Sequence, residues 1–335
     1  MKSPITGKEM KLVRELANFQ FRKEDFEILY HYYLCDQSKE SFTNDKLDKI
    51  NQIQVHNKYR EKYGIPFPEE IVAIKEKYGV TSSKMSEILG LGTNTYRLYE
   101  DEEMPSVSNG RLILSIIQPE EFIRQVNASS HILTTKEVEK FINRAKEIEQ
   151  HETFKNIGAS FLISNLLSDK PSEYSGYKKL SIEKAMCVID YLGNQIELYK
   201  TKLNKLLFYT DFLFYQEFGT SITGLKYRAI PFGPVPSDFD KLYLKLQEDN
   251  KIEIQEVAFD NGHYGDIIRP LSNYTNEACS LEEKRVLDKV IERFRNLSSK
   301  QIADLSHNEK AWLENNTERN IISYQKYSYE LNAFK

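Results

Sequence analysis

Four side chains in the C-terminal half have the chemistry of acid–base catalysis: Asp211, His263, Asp266 and His307. A carboxylate and an imidazole within hydrogen-bond reach of a substrate can move its proton in the transition state. Their spacing argues against that use. His307 sits in "LSHNEKAW" with no second catalytic group close to it in the chain. No glycine-rich phosphate loop, HExxH, GxSxG or paired-cysteine motif accompanies these residues. A histidine capping a helix and a tryptophan, Trp312, filling a core account better for the same stretch. The chain reads as a binding protein rather than an enzyme, with no cofactor and no metal site.

A second stretch invites a binding reading. In "YRAIPFGPVPSDFDKLY" (Tyr227 to Tyr243), three prolines and a glycine fall within residues 231–236. Proline fixes φ and lacks an N–H, so the stretch is neither helix interior nor central strand. Each proline also holds the residue before it extended. The expected form is a stiff turn carrying Phe232 and Val235, released into a helix capped by Ser237. A rigid turn loses little entropy when a partner docks on it. Phe232, Val235, Ser237 and Asp238 are therefore the expected partner-binding residues, with Phe232 also able to pack back on the chain's own core.

These residues belong to a chain of 335 residues, long enough for two or three domains. Net charge is −4, from 46 basic and 50 acidic residues. That balance excludes a generally basic, nucleic-acid-coated protein but leaves room for one compact DNA-reading module. The cysteines, Cys35, Cys187 and Cys279, are odd in number and far apart, so no disulfide framework is expected. No signal-peptide pattern or apolar run of about 18 residues is present, which places the protein in the cytoplasm and off the membrane.

Periodicity divides the chain into four blocks. Residues 1–55 alternate polar and aromatic positions, as in "FQFRKEDFEILYHYYLC", and predict a β-hairpin unit. Residues 56–125 read as short helices. Residues 126–178 form a helical connector that includes a capping box, Thr134 with Glu137, and a "SDKPSEYSGYKK" linker. Residues 179–335 have their own apolar pattern. Ala185, Val188, Ile189 and Leu192 mark one helix face, and Leu203 to Tyr215 form a helix apolar nearly all round. Ile252 and Ile254 alternate before Asn261-Gly262, a hairpin signal, and Ser280 and Ser298 or Ser299 start two closing helices. The fold class is mainly α with small β elements (α+β), multidomain.

Within the second block, "PEEIVAIKEKYG" has proline and two acids in its first turn, apolar Ile71, Ile74 and Tyr78, and a closing glycine. "TSSKMSEILGLGTNTYRLYE" then gives two short helices around Gly90-Leu91-Gly92, the pattern of a helix-turn-helix. Ile88, Leu89, Leu91 and Leu98 would form its core. Thr93, Asn94, Tyr96 and Arg97 would open the second helix, where side chains reach base edges or phosphates, with Lys84 nearby.

The stretch "IPFPEEIVAIKEKYGVTSSKMSEILGLGTNTYRLYEDEEMPS" resembles the helix-turn-helix of MqsA/YgiT-type antitoxins. It departs from that pattern at Tyr99, Glu100, Asp101 and Glu102, which make the end acidic and weaken phosphate attraction. The same family carries a zinc finger of two Cys-x-x-Cys pairs. Here Ser3 and Thr6 stand at one pair and Cys35 and Ser38 at the other, so the resemblance is to a finger that has lost its metal. The alternative, zinc kept by Cys35 and His31, lacks ligands. The final block resembles the Panacea, or SocA-like antitoxin, domain through "KLNKLLFYTDFLFYQEFGTSITG", "PFGPVPSDFDKLY" and "LSHNEKAW", in that order.

The resemblances imply an antitoxin that neutralises a cognate protein toxin by direct binding. They also imply that it represses its own operon by binding operator DNA as a homodimer. The alternative is a prophage- or defence-associated transcription regulator whose C-terminal domain senses a protein or ligand.

Overall fold

The structure, a computed structural model, describes residues 1–155, 169–258, 264–271 and 279–335. It is mainly helical with small antiparallel sheets, as the patterning predicts. Strands β1 (Lys11–Phe21) and β2 (Glu24–Leu34) precede the short β3 (Ser41–Phe42), in sheet order β1-β2-β3. Arg22 and Lys23, both at positive φ (49° and 68°), form the two-residue turn between the long strands. Helices α1 (Asp45–Tyr63), α2 (Pro68–Tyr78), α3 (Ser82–Ile88), α4 (Thr95–Glu100), α5 (Val107–Ser115), α6 (Pro119–Ala128) and α7 (Thr135–Lys155) follow.

Two compact units emerge. One comprises Gln20–Phe26 and the described residues from Val55 to Lys155. Its core is Ile71, Ile74 and Tyr78 of α2 with Ile88, Leu89, Tyr96, Tyr99 and Phe122. Pro68 opens α2, the Glu70 carboxylate accepts from the Phe67 N–H at 2.9 Å, and Gly79 closes the helix at φ 64°. The Thr134–Glu137 box starts α7 as predicted. Leu98, expected in the core, is 46% exposed. Helix α4 begins at Thr95, after Asn94 at φ 66°, and that phase turns Tyr96 and Tyr99 inward instead.

The other unit comprises Met1–Phe19, Glu27–Gln54 and the described residues from Asp169 onward. Its elements are α8 (Ile182–Gly193), α9 (Lys200–Phe218), β4 (Tyr227–Ile230), β5 (Gly233–Pro236), α10 (Phe239–Glu248), β6 (Ile252–Ala258), β7 (Tyr264–Pro270), α11 (Leu281–Phe294), α12 (Ser299–Ser306), α13 (Lys310–Leu313) and α14 (Tyr324–Tyr327). The all-round apolar run becomes α9, buried from Lys202 through Tyr215. Ser181, Ser280 and Ser298 cap α8, α11 and α12. Ile252 pairs Pro270 and Ala258 pairs Tyr264, an antiparallel hairpin; Asn261, Gly262 and His263 lie outside the described residues. Residues before 179 also build this unit: the Ser221 N–H donates to Gly176 and the Tyr177 hydroxyl to Gln325.

The cysteine reading needs correction. Cys187 of α8 and Cys279, just before α11, form a disulfide, with Cα atoms 6.1 Å apart. Their 92-residue separation hid the pairing, which packing of the two helices creates. Lys184 binds both Glu283 oxygens at 2.8 Å across the same seam.

Helix α9 carries Asp211 and Lys205 deep into the core. Asp211 accepts from the Ile222 N–H (2.9 Å), the Thr223 N–H (3.0 Å), the Thr223 hydroxyl (2.5 Å) and the Tyr227 hydroxyl (2.8 Å). Burial pushes its carboxyl up, against these donors. Lys205 is fully buried and its Nζ has no hydrogen-bond partner. Burial holds that ammonium down to about 7.

Two outcomes follow. Asp211→Ala orphans three or four buried donors and should lower the unfolding free energy by about 3–5 kcal/mol in urea titration. Lys205 has a folded pKa below its unfolded one, so the unfolded chain binds more protons between about pH 7 and 10. Stability should therefore rise with pH across that window, and Lys205→Met should flatten the rise and be the more stable protein at pH 7. Equal pH slopes in the two proteins would refute the assignment.

Candidate partner-binding surface

The proline stretch folds as a hairpin. Tyr227 pairs Pro236 and Ile230 pairs Gly233, leaving Pro231 and Phe232 as the loop. On its other side, β4 bonds the chain near Ile321: the Ala229 N–H donates to Asn320 and the Ile322 N–H to Tyr227. Gly233, at φ 92°, lies against Lys205 and Ser306 so closely that a Cβ would collide with both. Phe232 is 72% exposed at the tip. Val235, expected beside it, is buried, because β5 lies on α9 along its whole length. Ser237 does not cap the next helix. Asp238 takes that position, one residue later, and its carboxylate holds Lys241 at 2.7 Å. The Ser237 N–H donates to Lys226, and its hydroxyl is buried without a partner.

The "LSHNEKAW" stretch clamps this hairpin and the chain's end. The Trp312 Nε1–H donates to the Ile230 carbonyl at 2.7 Å, and the His307 ring lies on the indole with centroids 4.2 Å apart. His307 ends α12, its N–H donating to Ala303. Trp312 is only half-buried, so it braces the hairpin from one side rather than filling the core. Glu309 is 1% exposed and accepts from the Asn332 and Ala333 N–H groups at 2.7 and 2.9 Å and the Tyr209 hydroxyl at 3.2 Å. Burial raises its carboxyl, and these donors oppose the rise. Asp266 faces Lys200 at 3.5 Å. The Asp211 and Glu309 carboxylates are thus engaged in holding the fold.

At the base of the hairpin lies a small, mostly apolar slot that sequence reasoning missed. Leu180, Ile182, Leu225 and Leu242 form its walls. They come from three separate stretches, so no local spacing signals them.

The N-terminal corner brings Ser3, Thr6, Cys35 and Ser38 together. Gly7 N–H to Ser3 and Lys39 N–H to Cys35 close two matching turns, and Thr6 Oγ1 meets Cys35 Sγ at 3.3 Å. The Ser38 N–H and hydroxyl, then Thr6 and Ser3, hold the Cys35 thiol down to about 6. One thiol and three hydroxyls do not fit zinc, which wants thiolate or imidazole. His31 is turned elsewhere: its backbone pairs with the Asn51 side chain and its ring meets Tyr329 at 4.3 Å. No group of three or more His, Cys, Asp or Glu suited to a metal occurs among the described residues.

The residues expected to read DNA separate. Thr93 and Asn94 are exposed in the turn, and the Arg97 side chain is 73% exposed, 3.9 Å from Asp101. Tyr96 is fully buried and donates its hydroxyl to the Ile71 carbonyl at 2.7 Å, so it locks α4 onto α2. Lys84 is held by Glu87 at 2.7 Å and Glu137 at 3.2 Å.

No helix among the described residues is long and apolar enough to cross a membrane. No curated protein and no solved structure matches the chain. Against known families, residues 203–313 match the model described as "Antitoxin SocA-like, Panacea domain", a span running from α9 through the hairpin to the end of α13. The chain therefore carries a SocA-like antitoxin Panacea domain at residues 203–313.

Proposed function

We propose that the protein is an antitoxin that binds and neutralises a protein toxin encoded beside it, through the surface around the β4–β5 hairpin. The match over residues 203–313 carries this reading. The hairpin supports it. An exposed aromatic on a turn fixed by Trp312, Gly233 and β4 is pre-organised to anchor a partner. The reading is one of binding, and the Asp211 and Glu309 carboxylates hold the fold through the donors named above. Phe232→Glu should abolish rescue of cells co-expressing the adjoining reading frame, while the melting temperature stays within about 1 °C. Val235→Asp should lose rescue by unfolding, seen as a collapsed melting transition. Undiminished rescue by Phe232→Glu would move the contact away from the hairpin.

We further propose that the α2–α4 region binds operator DNA of the same operon as a homodimer. The exposure of Thr93, Asn94 and Arg97 on one corner supports this. Tyr96 and Lys84 are left out of the DNA contact, the first buried and the second neutralised by two glutamates. Asn94→Ala/Arg97→Ala should weaken the shift of promoter DNA by about tenfold or more and flatten its salt dependence. Lys84→Ala should leave both unchanged. A double variant that shifts the promoter like the unaltered protein would exclude this corner as the DNA contact.

A further inference from the structure

Lys205 sits where a lysine is costly. It lies on the most buried helix, has no accessible surface, and its Nζ meets no hydrogen-bond acceptor. What covers it is the turn of the hairpin. A Cβ placed on Gly233 would stand 2.7 Å from the Lys205 Cε and 3.3 Å from its Nζ, and would run into the Ser306 Oγ as well. The Ser306 hydroxyl donates to the Ala303 carbonyl at 2.7 Å and accepts nothing from the amine. A neutral amine can rest in such a place at little cost. An ammonium cut off from both water and acceptors cannot.

No neighbouring charge relieves that cost; burial alone sets the proton affinity of the amine. Strand β5, which covers it, carries no titratable side chain. On α12, Lys300 and Asp304 are exposed, and the His307 ring just beyond lies on Trp312. Lys202, one turn back on α9, donates to the Arg295 and Leu297 carbonyls, and Asp211 is met by its own donors. Arg293 of α11 is turned to the Ala333 carbonyl, and Glu309 to the N–H groups of residues 332 and 333. The hairpin over Lys205 is fastened on one side only. Strand β4 is bonded to the chain near Ile321 and to the Trp312 indole, whereas β5 has β4 as its one neighbouring strand among the described residues. Gly233, at φ 92°, joins the loop to β5, and a glycine changes its backbone angles more cheaply than any other residue.

We propose that the Gly233 turn is a lid over Lys205, which opens when the amine takes up a proton from solvent. The chain pivots at Gly233, the ammonium reaches water, and α9 stays folded beneath. The sign follows from linkage. The closed form holds its proton only below about pH 7, whereas a lysine in water holds it up to about pH 10. Between those limits opening takes up one proton, so the opening constant rises by up to about tenfold for each unit that the pH falls, and levels off below about pH 7. Phe232 adjoins the pivot, so lowering the pH frees the aromatic tip from the turn that holds it. The device does not depend on what the hairpin binds.

Lys205 also titrates when the whole chain unfolds, so the experiment has to separate a local opening from unfolding. The full chain is followed by hydrogen–deuterium exchange and mass spectrometry at pH 7, 8 and 9, with rates corrected for the intrinsic effect of pH on exchange. Peptides from residues 227–236 report the hairpin, and peptides from residues 203–215 report α9. The hairpin amides should open about tenfold or more as readily as those of α9, and low urea should leave that opening unchanged. Their opening constant should rise about fivefold to tenfold per unit as the pH falls from 9 to 7. Lys205→Met leaves nothing to titrate under the turn, and its hairpin should be protected equally at all three pH values. One opening constant shared by hairpin and α9 amides would mean that Lys205 is exposed only by unfolding, and the lid would be refuted. Local opening that is the same at pH 7 and pH 9 in the unaltered protein refutes it too, and neither reading needs a variant. A pH dependence that persists in Lys205→Met and vanishes in His307→Gln belongs to the imidazole on Trp312 and overturns the assignment.

Discussion

The Asp211 carboxylate is the point on which the Panacea region turns. It sits in the middle of the most buried helix and gathers four donors, three of them from the Ile222–Thr223 segment and one from Tyr227 at the start of β4. A carboxylate taken out of water is expensive unless its lone pairs are met. Here the donors are themselves segments whose positions matter. The same bonds that make Asp211 tolerable set the entry of β4, hence the hairpin, hence Phe232 and the slot. Glu309 repeats the device at the C-terminus, where two backbone N–H groups of residues 332 and 333 close on one carboxylate. Two buried acids thus organise what a purely apolar core would leave free to slide.

The three motifs of the Panacea region are consumed in one another. Lys205 from the first lies under Gly233 from the second, together with Ser306 from the third, and Trp312 from the third bonds Ile230 beside the second. What they leave exposed is small: an aromatic tip and a shallow slot.

Legibility followed how local each signal was. The run Leu203 to Tyr215 was readable because a helix apolar on all sides can only be central, and the caps at Ser280 and Ser298 were readable because capping is settled within four residues, whereas the cap expected at Ser237 fell one residue later. Leu98 and Val235 were misread for a common reason. Each required knowing where an element begins or what lies beneath it: α4 starts two residues later than its pattern suggests, and β5 rests on α9. The Cys187–Cys279 pair and the slot were out of reach, since each joins stretches far apart in the chain that only packing brings together. Tyr96 shows the limit for the site itself. Its place in a helix-turn-helix pattern suggested an outward role, but a tyrosine at a first turn serves as well to bolt two helices together.

The prolines of β5 have a consequence for how any partner can approach. Pro234 and Pro236 are two residues apart, so their nitrogens face one edge, and the unbroken register with β4 makes it the edge away from that strand. A strand buried along its length, with no second neighbouring strand among the described residues, would otherwise leave two N–H groups without acceptors. With those donors missing, the edge is also a poor template for another chain to extend the sheet. Recognition by strand addition is closed off along β5. What remains for a partner to grip is shape and side chains, a mode whose specificity can be retuned by single substitutions without rebuilding the backbone.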